Sequence, residues 1–113
     1  MHMSDNPMSV FQTEAPQIAA AFDGLIQSLV ASRGLDEKTK QLIYIAMKTA
    51  SGDETAVQFH VPMAKKLGAT KAEVVDAILM TLTVCGIRGV LTCLPQAVAC
   101  FDEKTNVVRN GND

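Results

Sequence analysis

The chain has 113 residues, 48% of them apolar and 19% charged, with a formal net charge of −2. That length makes one domain, and ten scattered basic residues against twelve acidic ones exclude a basic footprint for nucleic acid or an anionic membrane. With no Trp and one Tyr there is also little on which bases could stack.

The apolar share is larger than so small a surface can hide, which predicts burial between copies of the chain. Met1-His2-Met3 has the look of a remnant ahead of a native start, so His2 is kept out of the site reasoning. No basic segment followed by an apolar run opens the chain, so no signal peptide is expected and the protein is placed in the cytoplasm. Cys85, Cys93 and Cys100 are an odd number. Cys93 and Cys100 fall two helical turns apart, about 10 Å, which is too far for a disulfide within one helix. Reduced, packed thiols are expected.

Residues 1–15 are expected to form a flexible lead-in or a short helix. Pro16 suits a first helical turn, and Ile18, Phe22, Leu25 or Ile26, and Leu29 then recur at helical spacing up to a stop at Gly34. Asp36 caps the next helix, in which Leu42, Ile45, Ala46 and Thr49 line one side while Lys38, Lys40 and Lys48 face out. Ser51-Gly52 breaks that helix. Asp53 caps another, which carries His60 and ends at Lys65-Lys66-Leu67-Gly68. Pro62 lies inside it and should kink it beside His60, at a cost near ~3 kcal/mol.

Thr70-Lys71-Ala72-Glu73 is a capping box. The helix it opens carries Val74, Val75, Ile78, Leu79, Leu82 and Cys85, which cover so much of its circumference that burial on most sides is expected. Gly86 and Gly89 loosen the chain before a last helix from Val90 to about Phe101, interrupted by Pro95. Residues 102–113 read as a disordered polar tail. No segment alternates as a strand does. The apolar run from Ala77 to Phe101 has the length of a membrane span, but the capping box and Arg88 favour a buried or interfacial helix pair instead.

His60 titrates in the range useful for proton transfer, and the competing reading is a packed histidine bonded to a backbone carbonyl. Asp53 serves as a carboxylate for that chemistry or simply as a cap. It lies about 10 Å from His60 along the helix, too far for direct contact. Asp53, Glu54 and His60 lack the spacing of a metal cluster, so neither metal nor cofactor is expected. Arg88, isolated among apolar residues, either clamps a substrate carboxylate or pairs with an acidic residue across an interface. Met47, Met63 and Met80 sit at core spacing.

Leu35-Asp-Glu-Lys-Thr-Lys-Gln-Leu-Ile, then Phe59-His60 with Ala64 and Gly68-Ala69-Thr70, then Glu73-Val74-Val75-Asp76-Ala77, resembles the carboxymuconolactone decarboxylase / alkylhydroperoxidase-D superfamily over residues 16–101. The resemblance implies an all-α fold, an AhpD-like helical orthogonal bundle, assembling as a homo-trimer or homo-hexamer. It also implies a site at the helix break. Peroxidase members carry E-x11-C-x2-C-x3-H, where this chain has Gln41-x11-Asp53-x2-Ala56-x3-His60. Only the histidine matches. A dithiol peroxidase needs an attacking thiolate and a resolving thiol, and Asp53 and Ala56 are neither. The resemblance thus points to a lyase-like, non-redox protein. In it His60, with Gln41 as hydrogen-bonding partner and Asp53 nearby, moves a proton on a small carboxylate or lactone. The alternatives are a peroxiredoxin-like activity through Cys85 or Cys93, and a non-catalytic oligomeric binding protein.

Overall fold

The structure, a computed structural model, describes residues 6–103. Met1-His2-Met3 and the tail from residue 104 onward lie outside the described residues. All regular structure among the described residues is helical: α1 (Pro7–Glu14), α2 (Pro16–Ala31), α3 (Glu37–Ala50), α4 (Glu54–Lys66), α5 (Lys71–Met80), the single turn α6 (Leu82–Cys85) and α7 (Arg88–Asp102). They fall into two units, Met1–Leu35 and Asp36–Asp113.

In the first unit both helices begin with proline, where the missing N–H removes no helical bond. The Asn6 side chain caps α1 by accepting from Met8 N at 2.8 Å. Phe11 and Phe22 meet edge to face at 5.9 Å between centroids and tie α1 to α2. α2 stops at Ala31 rather than running to Gly34: Ser32 N–H makes the last helical bond, to the Ser28 carbonyl, and the backbone of Ser32 then turns extended.

The second unit is built on a core of Ile45, Val57, Val61, Ala64, Val74, Ile78, Val90, Cys93 and Ala97. Fully burying an Ile or Val side chain contributes about 1.5–3 kcal/mol, so this cluster is the main source of its stability. Caps set where each helix begins. Asp36 Oδ1 accepts from Thr39 N at 2.7 Å, and both bonds of the Thr70–Glu73 capping box are made. Polar links then fix neighbours in register: Lys38 to Glu73 at 3.2 Å between α3 and α5, and Gln58 to Gln96 at 2.7 Å between α4 and α7. α7 comes unusually close to the end of α3. A Cβ on Gly89 would fall 2.1 Å from the Thr49 carbonyl oxygen, so this position requires glycine.

Three expectations need correcting. The helix after the capping box is not buried on most sides: Val74 and Ile78 are buried, but Met80 is 66% and Val84 86% exposed. The apolar run is interrupted after Met80, and α6 leads to Gly86 at φ 75, so its residues no longer share one helix. Cys85 is accordingly exposed rather than packed, whereas Cys93 is buried. Met47 and Met63 are also exposed, since the interior sides of α3 and α4 are taken by Ile45, Thr49, Val57 and Val61. α4 continues through Pro62 as one helix. No helix among the described residues is long and apolar enough to cross a membrane.

Candidate functional site

The corner between α3 and α4 is a tight turn. Gly52, at φ 74, takes a backbone conformation that other L residues resist, and Asp53 N–H closes on the Lys48 carbonyl at 2.9 Å. Asp53 then caps α4, its Oδ1 accepting from Ala56 N at 3.0 Å. The turn lays the start of α4 beside the end of α3. On α3, Gln41, Tyr44 and Lys48 fall on one face at helical spacing; on α4, Ala56 and His60 are one turn apart.

His60 is half-buried, with its Nδ1 3.0 Å from Gln41 Oε1. With the carboxamide oxygen facing the ring, Gln41 can only accept, so Nδ1 carries the hydrogen and Nε2 keeps its lone pair. Tyr44 packs edge to face on the imidazole at 4.4 Å, and Phe59 does so at 5.2 Å. Burial pushes the imidazole below its ordinary value of 6.5, the charge of Lys48 pushes the same way, and Asp53 opposes both. The ring is thus held neutral near pH 7 with a free basic nitrogen, the state from which a general base acts.

The structure therefore brings Gln41 and His60 together. Asp53 is occupied as a cap and reaches Lys48 Nζ at 3.7 Å; it acts on the imidazole through its charge. Arg88 opens α7 and is exposed, its side chain forming no ion pair among the described residues. An open groove bordered by Pro62, Met63, Lys66 and Cys100 lies towards the far ends of α4 and α7, and His60 is not among its walls. No three metal-ligating side chains converge among the described residues. Two of the three cysteines, Cys93 and Cys100, are poorly placed for thiolate chemistry. Burial raises both the Cys93 and Cys100 thiols above their ordinary value, against the effect of the neighbouring Thr49 hydroxyl in the first case and with the help of Glu103 in the second.

Tyr44, Lys48 and Phe59 belong to this site and were passed over in the sequence. The signal was present: Gln41, Tyr44 and Lys48 are spaced i, i+3 and i+7. Lys48 was assigned to the solvent face because a lysine on an amphipathic helix ordinarily points there.

Residues 16–99 match the model of the carboxymuconolactone decarboxylase family. No curated protein and no solved structure matches the chain.

Proposed function

The chain belongs to the carboxymuconolactone decarboxylase family, and from that premise we propose that it is a non-redox member in which His60 moves a proton on a small carboxylated or lactone-type substrate. The observation that carries this is the 3.0 Å contact from His60 Nδ1 to Gln41 Oε1, which selects the tautomer with a basic Nε2. Gln41 orients the ring, as an acceptor on the far nitrogen does in other base-catalysed sites. Asp53 offsets part of the positive field of Lys48. The substrate's anionic end requires a cation, and Arg88 is the one the sequence suggests. A peroxidase reading has less support, because no Cys occupies 53 or 56 and the Cys93 and Cys100 thiols are held protonated.

The working unit is a homo-oligomer in the cytoplasm. Met80, Val84, Ile87 and Leu91 leave an apolar surface on the second unit, of the kind that marks a protein interface. Light scattering after size exclusion tests this, and a stable monomer at micromolar concentration overturns it.

The test of the chemistry is turnover of small carboxylated lactones, followed by ultraviolet absorbance and CO2 release. His60→Asn, assembled like the parent, is expected to lose about 10²–10⁴-fold. Parent-like turnover in that variant, or peroxide consumption by the parent, overturns the reading.

A further inference from the structure

We propose that Lys48 is the residue that anchors the carboxylate of the substrate, a role the sequence would give to Arg88; this rests on the proton-transfer reading of His60. Lys48 stands on the same face of α3 as Gln41 and Tyr44, so the residue that orients the imidazole, the ring that packs on it and this ammonium form one stripe. Its Nζ lies 3.7 Å from Asp53 Oδ2 and 5.6 Å from the centre of the Tyr44 ring. A charge-assisted hydrogen bond is about 2.7–2.9 Å long, so the Asp53 contact is a loose ion pair. Asp53 is held back by its other oxygen, which caps α4 through Ala56 N.

An ammonium has three donors, and Asp53 and Tyr44 leave Lys48 with bonding capacity. Its side chain is 33% exposed, enough to be reached and sheltered enough for an added ion pair to count. An exposed lysine serving only the C-terminal dipole of α3 would need neither the ring beneath it nor the shelter. The field at His60 agrees with the assignment, since Lys48 acts on the imidazole more strongly than Asp53 does.

The surroundings narrow the ligand further. Tyr44 and Phe59 pack edge to face with the His60 ring, so the imidazole sits in aromatic company, and Ala56, one turn before it on α4, contributes only a methyl. A flat apolar body with one carboxylate matches that combination, with the carboxylate on Lys48 and the reacting carbon towards His60 Nε2. Arg88 is exposed at the start of α7 and makes no ion pair or hydrogen bond with its side chain to Gln41, Tyr44 or His60.

The test is a titration of the full chain with benzoate, benzamide and inorganic phosphate, followed by the NMR resonances of the His60 imidazole. Benzoate is expected to shift them saturably, with benzamide weaker by about tenfold or more, the size of a lost charge-assisted hydrogen bond. Lys48→Met should weaken benzoate by a similar factor while keeping the parent circular dichroism, and Lys48→Arg should restore it. Parent-like benzoate binding by Lys48→Met, equal binding of benzamide, a response to phosphate alone, or a loss confined to Arg88→Met each overturns the assignment. The two proposals fail separately. If His60→Asn keeps turnover while Lys48→Met loses benzoate, proton transfer falls and the anchor stands; the opposite pair of results removes the anchor and leaves proton transfer.

Discussion

Apolar residues crowd both the α3–α4 corner and the stretch from Leu79 to Leu91, yet the two regions end in different states. At the corner, Ile45 and Val57 are fully buried and the polar groups around them are paired, down to the Thr49 hydroxyl, which donates to the Ile45 carbonyl at 2.8 Å. In the second stretch Leu91 is 65% and Ile87 58% exposed, although Val90, between them, is buried. Helical spacing records that a side chain seeks cover; it does not say whether the same chain supplies it. The corner thus covers its inward side with its own fold while Met47 and Phe59 stay outside, whereas in the later stretch most of the large apolar side chains stay uncovered.

The largest effect that could break this comparison comes from truncating one residue of each kind. Ile78→Ala should lower the stability to urea by about 2–5 kcal/mol, because a buried Ile is lost and its cavity only partly collapses. Leu91→Ser should change the folding stability of the chain by no more than about 0.5 kcal/mol while shifting the oligomer towards smaller species on size exclusion. Equal losses of stability in the two variants would erase the distinction.

Next in size is Gly89→Ala. The new methyl would collide with the Thr49 backbone, which cannot rotate away as a side chain could, so a loss of about 1–3 kcal/mol is expected in the same unfolding experiment. A neutral result would mean that α7 can move off α3 freely. Thr70→Ala removes one half of the capping box and should cost about 0.5–2 kcal/mol, read as a lower urea midpoint with an unchanged slope.

The smallest effect sharpens the corner itself. The folded His60 titrates below 6.5, so the unfolded chain binds the proton more readily. Stability is therefore flat above that value, declines as pH falls from 6.5 towards the folded value, and levels off below it. The acid limb of activity should lie below 6.5 for the same reason. Lys48→Met should move the imidazole titration upward and Asp53→Asn, which still caps, should move it downward, both visible by NMR. A shift in the opposite sense in either variant would contradict the field described at the site.

Much of this was legible in advance. The starts of α3, α4 and α5 follow from Asp36, Asp53 and Thr70, since a cap is a local event between a side chain and an amide two or three residues on. The pairing of Gln41 with His60 came from a family resemblance, not from periodicity, and the contact spans 19 positions that only the turn at Ser51-Gly52 brings together. Lys48 was missed because its ion-pair partner Asp53 and the imidazole it acts on become neighbours only once that turn is made; only the Tyr44 ring, one turn back on α3, was within reach of spacing alone. The exposure of Met80 and Val84 was missed for a related reason: the chain leaves α5 after Met80, and no helical-wheel count anticipates a single-turn helix ending at Gly86.

Gly52 has open space around it, so what restricts the position is its backbone angle rather than crowding. Variation is consequently steered off the bend and onto the side chains it carries. Such a hinge works as a socket: the side chains at 41, 56 and 60 are held out by a chain path that the glycine, not they, defines.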